Sequence, residues 1–416
     1  MLYDKAVSDL KPMEKVKKGD RIFELFKQSI PILMGIFLFF NPFPHTTTIK
    51  EACFYLSALI VLLLLVFKKV SFSFKTPLSM PFALFTIWVF VGLFFALDKA
   101  GSLHDFYAHL LKYMAIFYII VNFYNSKERL ITLSWIIIIS ATVFSIGGIY
   151  HFYVLHENSL LTKFTPDLPE IPVNLIGITT VTATIFALHH FFGEKHLYGR
   201  IVSLICLIPL YVMTFLTQAR ATLMAMIIAS VVLLFKKKKV LIACLAITLT
   251  IAGANPVIRS RLINANLITS LRMDINYVTF EIIKDFPVMG IGFDMETYRS
   301  SIDLTAYNER VPVKYRHTPP YNDPHGMLPS IAVRTGLLGL VLFLNILFAF
   351  SRMCWGNISR GKDDFIKSWG RCVASAFVAV FIIGIFEPIL SHHPESVFYT
   401  ILAMMTILWH LNMKSA

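Results

Sequence analysis

Charged residues are scarce in this chain, and their scarcity limits the classes of protein to which it can belong. Asp, Glu, Lys and Arg make up only 15% of the 416 residues, whereas 56% are hydrophobic. A soluble fold of this length would need far more polar surface. Apolar runs of about 16–22 residues recur instead, each long enough to cross a hydrocarbon core of roughly 30 Å. The composition therefore predicts an all-α, polytopic integral membrane protein.

Sequence signatures of nucleotide, redox and metal sites are missing as well. No P-loop and no GxGxxG motif occurs, so neither ATP nor a dinucleotide is implied. The five cysteines form no CxxC pair and no zinc spacing, so we expect them to pack as small apolar residues. His392 and His393 lie near Glu387, but this short turn supplies no further ligand. We therefore expect no cofactor and no metal.

The charge that is present is mainly basic, and it gives the chain a net charge of +13. Such an excess can indicate nucleic-acid binding, but here Lys and Arg cluster in short segments between the apolar runs. Basic loops orient membrane helices and contact anionic lipids. We therefore expect membrane lipids, and no nucleic acid, as partners. The clusters lie at 5–21, 68–75, 127–129, 195–200, 236–239 and 352–367.

The apolar runs predict about twelve transmembrane helices. If the spans alternate, every basic cluster falls on one side, and the positive-inside rule places that side and both termini in the cytoplasm. The chain then divides into a basic cytoplasmic N-terminus (1–24), spans one to nine (25–254), a large periplasmic loop (255–328) and spans ten to twelve (329–416). The predicted spans are 25–41, 52–67, 79–97, 107–124, 130–153, 172–192, 200–216, 221–235, 240–254, 329–350, 370–390 and 396–412.

The large loop between spans nine and ten carries patterns of ordered structure. In "RMDINYVTFEIIKDF", the residues Ile275, Val278, Ile282 and Phe286 have helical spacing, which predicts an amphipathic helix. The following "PVMGIGF" supplies the proline and glycines of a sharp stop and turn. A second short helix is predicted at "DMETYRS", whereas "HTPPYNDP" is too rich in proline to be helical. The loop is thus expected to contain short helices.

His325 lies at the end of this loop, where span ten begins. In "NDPH", Asp323 suits a helix N-cap and Pro324 the first helical position, which would put His325 in the first turn. The positive end of a helix disfavours an imidazolium, so a neutral histidine able to accept a proton is expected there. An ordinary surface histidine near a helix start is the alternative.

Four basic residues lie at or near the predicted outer face. Arg334 lies within span ten, where a cation is costly unless it faces a polar cavity or an anion. Arginine forks bind phosphate oxygens in bidentate fashion, so the set suits a phosphate-bearing substrate. Snorkelling of Arg334 to the interface and unrelated, scattered cations are the alternatives. The other three are Lys112, Arg220 and Arg272.

Three short motifs follow one another in the second half of the chain. "TQARAT" contains Arg220, "SLRMDINYVTFEIIKDFPVMGIGFD" contains Arg272 before a proline–glycine turn, and "DPHGMLPSIAVRTGLLGL" contains His325, Gly336 and Gly339. In their order and placement they resemble the motifs of the bacterial O-antigen ligase family, a group that includes O-antigen polymerases and protein O-oligosaccharyltransferases. One departure is Gly326, which follows the histidine where the family usually has a polar residue.

The resemblance implies a metal-independent, inverting glycosyltransferase at the outer face of the bacterial inner membrane. Its donor would be a glycan on undecaprenyl pyrophosphate, and its acceptor a sugar hydroxyl of lipid A–core. His325 would be the catalytic base, while Arg220 and Arg272 would bind the pyrophosphate and stabilise the leaving group. The further predicted substrate-binding residues are Lys112, Arg334 and Asp323.

Other functions remain open at this point. An O-antigen polymerase or a protein O-oligosaccharyltransferase would use the same lipid-linked donor with a different acceptor. A transporter of an anionic solute would belong to another class and would also use intramembrane cations. Transporter folds often show internal repeats, and the two halves of this sequence do not correspond in that way. Polymerases tend to carry two sizeable outer loops, and this chain has one, which favours the ligase.

Overall fold

The fold is a bundle of helices. The computed structural model describes residues 18–165, 173–193, 196–263, 273–390 and 394–414. Within these ranges all regular structure is helical and no strand occurs. The predicted all-α membrane architecture is therefore confirmed at the level of secondary structure, and the basic residues 1–17 lie outside the described part.

We number the α-helices in chain order. Short π-helices join α4 to α5 (Phe106–Leu111) and extend α6 (Tyr150–Leu155), and a 3₁₀ turn spans Val313–Tyr315. The α-helices are α1 (Lys18–Phe40), α2 (Thr47–Val66), α3 (Ser79–Gly92), α4 (Lys99–Asp105), α5 (Lys112–Phe123), α6 (Lys127–Ile149), α7 (Val173–Gly193), α8 (Leu197–Leu216), α9 (Arg220–Leu234), α10 (Lys238–Ala254), α11 (Pro256–Ile263), α12 (Met273–Asp285), α13 (Glu296–Ser300), α14 (Leu304–Arg310), α15 (Met327–Arg360), α16 (Asp364–Phe386) and α17 (Glu395–Lys414).

A helix is present at each of the twelve predicted spans. Nine helical segments of the described chain are long and apolar enough to cross a membrane. The other three predicted spans correspond to the shorter α3, α9 and α10. The structure thus supports a multi-pass membrane protein, while the count of twelve stays a prediction.

The centre of the bundle is formed by helices of the middle and the C-terminal part of the chain. In α7 and α17, 72% of the most apolar stretch is buried, whereas in α1 only 28% is buried. α1 therefore lies at the periphery, with much of its apolar surface left for lipid. α16 packs against α7, α9, α15 and α17, and so it connects the first nine helical spans to the last three.

Basic residues of several described clusters lie at one end of the bundle, which we call the basic end. Lys127 Nζ lies 2.5 Å from Asp363 Oδ2, so the start of α6 contacts the start of α16. His410 Nε2 lies 3.2 Å from the carbonyl of Lys75, which joins the end of α17 to the α2–α3 connection. Lys237 donates to the carbonyl of Phe192 (2.9 Å). These contacts agree with the predicted segregation of basic residues to one face.

Residues 255–263 and 273–326 lie at the other end, which we call the loop end. Their apolar core forms where α12 packs on the segment 291–298 and on α15. Its buried residues include Val278, Ile282, Ile291 and Val333. The predicted amphipathic helix is therefore confirmed over the described residues 273–285. The short helix predicted at "DMETYRS" is present as α13, and residues 317–324 are non-helical as predicted.

Helix α14 is not predicted by the sequence pattern. Its start is capped by Asp303, whose side chain accepts hydrogen bonds from two backbone N–H groups of the first turn. Its end is tied to α12, because Asp285 accepts from Arg310 Nη1 (2.6 Å) and from the Tyr307 hydroxyl (2.8 Å). The hydrogen bond from Arg310, followed by that from Tyr307, lowers the pKa of Asp285. The helix depends on these partners more than on its own short sequence.

Helix α15 is broken at Gly336, which has φ 73° and ψ 177°. The break frees backbone groups that a continuous helix would pair internally, and these need partners inside a membrane protein. The turn after α12 supplies them: Ile291 N donates to the Val333 carbonyl (2.9 Å), and Leu337 N donates to the Pro287 carbonyl (2.8 Å). The indole of Trp88 donates to the Thr335 carbonyl (2.9 Å). The proline–glycine turn therefore inserts into the break.

Candidate functional site

His325 lies at the loop end, just before α15 and outside it. The helix begins at Met327, and its N-cap is Gly326, with φ 108°. The predicted N-cap role of Asp323 and the first-turn position of His325 are therefore wrong. The reason is local: a Cβ on Gly326 would come within 2.8 Å of the Ile385 carbonyl, so close packing against the end of α16 requires glycine at this turn.

The backbone of His325 is held by the side-chain amide of Asn276. Asn276 Nδ2 donates to the His325 carbonyl (2.6 Å), and its Oδ1 accepts from the His325 N–H (3.1 Å). Asn276 is 6% exposed on α12, so the amide is held in place by the packing around it. Sequence reasoning missed this residue, although it lies four positions after Arg272 in the same motif. The imidazole of His325 is half-buried and meets the ring of Tyr321 edge-on at 5.5 Å.

Asp323 is engaged by an arginine of the loop. Arg299 donates to Asp323 Oδ1 from Nε (3.0 Å) and Nη2 (2.7 Å). The side chain thus ties the segment before His325 to α13. The structure gives Asp323 a partner within the protein, and its predicted contact with substrate is not tested.

Arg334 is buried at the break of α15, with 1% of its surface exposed. Its guanidinium donates to the Phe293 carbonyl through Nε (2.6 Å) and Nη2, and to the Leu390 carbonyl through Nη1 (2.9 Å). The guanidinium carbon lies 4.3 Å from the centroid of the Phe293 ring. Snorkelling is thereby excluded. The groups that Arg334 hydrogen-bonds are thus carbonyls of the chain itself.

A network of ionisable side chains surrounds Arg334. Its Nη2 lies 4.0 Å from Asp105 Oδ2, and His109 Nε2 lies 3.8 Å from Asp105 Oδ1. His109 Nδ1 lies in turn 3.1 Å from Glu395 Oε2. Asp105 and His109 are spaced i,i+4 at the edge of an apolar run, and ionisable residues in such runs are rare and usually paired or functional. That signal could have identified them from sequence.

Lys112 opens α5 next to this network and forms an ion pair with Glu51 of α2. Its ammonium also lies 5.6 Å from the ring centroid of Phe54. Its side chain is only 12% exposed. Lys112 is therefore held inside the bundle near the loop end, where Glu51 provides the negative charge.

Arg220 is the first residue of α9 and is half-buried. The preceding Gln218 has a positive φ of 48°, and its side-chain amide donates to the Leu161 carbonyl (2.9 Å). The tight turn before α9 is thus tied to the connection that follows α6. Arg220 thus lies at the positive end of an apolar helix, where an anionic group would be favoured.

The structure brings most of the predicted site residues to the loop end. Phe164 N donates to the Leu216 carbonyl next to Arg220 (2.9 Å), and Phe164 also lines a cavity of about 380 Å³ with Phe43 of the α1–α2 turn. The same turn leads to Glu51, the partner of Lys112. Arg220, Lys112, Arg334, Asp323 and His325 therefore share one end, and Arg272 lies outside the described residues.

Metal ligands are not grouped in the described part of the chain. Among these residues, no set of three or more His, Cys, Asp and Glu side chains could hold a metal ion. His392 and His393 fall outside the described residues. Metal independence remains a prediction.

Fold and site together define a multi-pass helical membrane protein with basic and ionisable side chains gathered at one end. Residues 203–344 match the model of a family described as O-Antigen ligase. This stretch is roughly a third of the chain and contains all three motifs. The match confirms the resemblance to the O-antigen ligase family, whose members are glycosyltransferase-like membrane enzymes. No curated protein matches the chain.

Proposed function

We propose that this protein is an O-antigen ligase, which transfers a glycan from undecaprenyl pyrophosphate to a sugar hydroxyl of lipid A–core. The observation that carries the proposal is the placement of His325. Its backbone is fixed by Asn276 at the loop end, and its half-buried imidazole lies at the same end as Arg220. A base fixed in this way suits two substrates that both reside in the membrane.

In the proposed reaction, His325 accepts the proton of the acceptor hydroxyl. The acceptor oxygen forms a bond to the anomeric carbon, and the bond between that carbon and the pyrophosphate oxygen breaks. Attack from the side opposite the leaving group inverts the anomeric centre. Undecaprenyl pyrophosphate leaves as a stable anion, so the step needs no separate acid and is proposed to need no metal.

Arg220 and Arg272 are proposed to bind the pyrophosphate and to stabilise the charge that develops as it leaves. The position of Arg220 supports this role, because its charge adds to the positive end of α9. We revise the roles of two further cations. Arg334 binds the carbonyls of Phe293 and Leu390 and so positions the loop. Lys112 is paired with Glu51. Its ammonium would therefore act on substrate only through the part of its positive charge that Glu51 does not neutralise.

The proposed location is the bacterial inner membrane, with the loop end in the periplasm and both termini in the cytoplasm. The gathering of Lys75, Lys127 and Lys237 at the basic end supports this orientation, since basic residues are retained on the cytoplasmic side. Residues 255–326 then form the periplasmic loop.

The ligase is preferred over a polymerase because of the loop. A polymerase must bind two lipid-linked glycans and tends to carry two sizeable outer loops. In the described ranges, the extramembrane helices α12, α13 and α14 all belong to one loop. A protein O-oligosaccharyltransferase would share the donor and an anionic-solute transporter would share the cations, but neither would attach a glycan to lipid A–core.

We expect Arg220→Lys to lower turnover by about 10- to 100-fold, because an ammonium cannot reproduce the two parallel hydrogen bonds of a guanidinium to phosphate. Turnover is measured with purified protein, lipid-linked donor and lipid A–core as acceptor. Arg200→Lys is the matched control, since Arg200 is an exposed arginine of α8 near the basic end. Near-normal turnover of Arg220→Lys would contradict a role in binding the pyrophosphate.

Loss of the gene tests the choice between ligase and polymerase. For a ligase, we expect rough lipopolysaccharide and accumulation of the lipid-linked glycan, since the polymer is made but not transferred. Lipopolysaccharide that carries a single repeat would instead indicate a polymerase. The readout is an electrophoretic profile of lipopolysaccharide together with quantification of the lipid-linked glycan.

A further inference from the structure

The segment from His317 to His325, which we call the strap, is ordered without helix or strand. The backbone of its first residue, His317, is held in the same way as that of its last residue, His325. Asn308 Nδ2 donates to the His317 carbonyl (2.8 Å), and the His317 N–H donates back to Asn308 Oδ1 (3.3 Å). Asn276 makes the same pair of bonds to His325. Two buried asparagines on different helices therefore fix both ends of the strap.

Three rings of the strap contact one another in sequence. His317 and Tyr321 meet edge-on with centroids 4.9 Å apart, and Tyr321 and His325 meet edge-on at 5.5 Å. Such edge-to-face pairs orient aromatic rings. Tyr321, the central ring, is 43% exposed although its neighbours on both sides are fixed. The result is an exposed aromatic surface directly beside the proposed base.

The middle of the strap is fixed as well. Arg299 binds Asp323 through two nitrogens, and Pro319, Pro320 and Pro324 restrict the backbone of the segment. A loop that is already ordered loses little conformational entropy when it binds a ligand. A role of the strap as a binding surface would therefore explain why this exposed loop is ordered.

We propose that the strap binds the sugar ring of the acceptor, with Tyr321 as its contact surface; this rests on the proposed function. The C–H groups on one face of a pyranose carry partial positive charge, and the face of an aromatic ring carries partial negative charge. Tyrosine offers a large, rigid area together with a hydroxyl that can bond to sugar hydroxyls. A sugar is thus the chemical class that the exposed Tyr321 fits.

The acceptor, and not the donor, is assigned to the strap because of its proximity to His325. The proton that His325 takes comes from an acceptor hydroxyl, so the ring that bears this hydroxyl must lie within reach of the imidazole. Tyr321 is the ring that contacts that imidazole. The donor is placed instead through its pyrophosphate, at the arginines.

The test is the dependence of the transfer rate on acceptor concentration for the full chain in lipid nanodiscs. We expect Tyr321→Ala to raise the acceptor KM about tenfold, with the donor KM unchanged, and Tyr321→Phe to stay within about threefold of the wild type. Tyr321→Leu keeps much of the volume and should behave like the alanine variant. Tyr107→Ala is the matched control, since Tyr107 is 51% exposed and meets His104 edge-on at 5.3 Å away from the strap.

Each result decides the inference. An unchanged acceptor KM in both Tyr321→Ala and Tyr321→Leu, or a rise in the donor KM alone, would overturn it. If Tyr321→Ala unfolds, the acceptor KM of Tyr321→Leu decides by itself. The same assay on His325→Ala separates the two proposals: full activity there refutes the proposed base, whereas lost activity with a normal acceptor KM in the Tyr321 variants refutes only the strap.

Discussion

His325→Ala should lower the rate of glycan transfer by about 10²- to 10⁴-fold, the usual effect of removing a positioned general base. A sugar hydroxyl is a poor nucleophile until its proton is taken. The donor should still bind almost normally, because the proposed mechanism assigns its pyrophosphate to the arginines and not to the imidazole. The measurements are single-turnover transfer by purified protein and binding of the lipid-linked donor to the same preparation.

The matched control is His156→Ala, which removes an exposed histidine from the connection after α6 at the same end of the bundle. It should transfer at the wild-type rate. A variant at His325 that keeps its turnover but no longer binds donor would show that the imidazole is a phosphate ligand. The base would then have to be sought elsewhere, with His109 beside Glu395 as the first candidate.

Gly336→Ala should destabilise the protein by about 2–5 kcal/mol, a sum of backbone strain and overpacking. Gly336 has φ 73°, which side chains disfavour, and a Cβ there would come within 1.8 Å of the Val288 carbonyl. To relieve this contact, the proline–glycine turn must leave the break in α15. That movement would unpair the backbone of both segments and displace Phe293, the partner of Arg334.

Thermal unfolding of the detergent-solubilised protein measures this effect, and the transfer rate should fall with it. Gly356→Ala provides a control in the same helix, because a Cβ at Gly356 meets nothing within 4 Å. That variant should be as stable as the wild type or slightly more so, since alanine favours helices. Equal unfolding temperatures for Gly336→Ala and Gly356→Ala would mean that the break in α15 does not need glycine.

Features that depend on local pattern could be predicted from the sequence. The apolar runs gave the positions of the membrane helices, and the spacing of Val278 and Ile282 gave the helix that packs in the loop. A helix that is buried on one face or all round leaves a matching pattern of apolar residues in the sequence, so both features can be recognised there. The basic clusters also predicted which ends of the helices meet.

Features that depend on distant partners could not be predicted. The break at Gly336 is possible because Ile291 and Trp88, far away in the chain, bond to the freed carbonyls. Arg334 looked like a ligand for phosphate because a cation at that depth needs an anion or a cavity. The carbonyls of Phe293 and Leu390 and the nearby carboxylate of Asp105 meet that need, and nothing in the sequence near Arg334 indicates them.

The start of α15 shows the same limit on a smaller scale. "NDP" before an apolar run is a common helix start, and it predicted a cap at Asp323. In the structure, Arg299 binds this carboxylate and Asn276 binds the backbone of His325. The helix therefore starts later, at Met327. Tertiary contacts thus outweigh the local capping preference and place His325 on a fixed loop instead of a helix.

The most direct test of the proposed reaction is transfer by the purified protein in lipid nanodiscs, with undecaprenyl-pyrophosphate-linked glycan, lipid A–core and excess EDTA. We expect glycan-bearing lipid A–core and free undecaprenyl pyrophosphate to appear in equal amounts, and His325→Ala to slow the formation of both by about 10²- to 10⁴-fold. Transfer that stops in EDTA and returns with magnesium would contradict the metal-independent mechanism. A lengthened lipid-linked glycan, with lipid A–core unchanged, would contradict the proposed ligase itself.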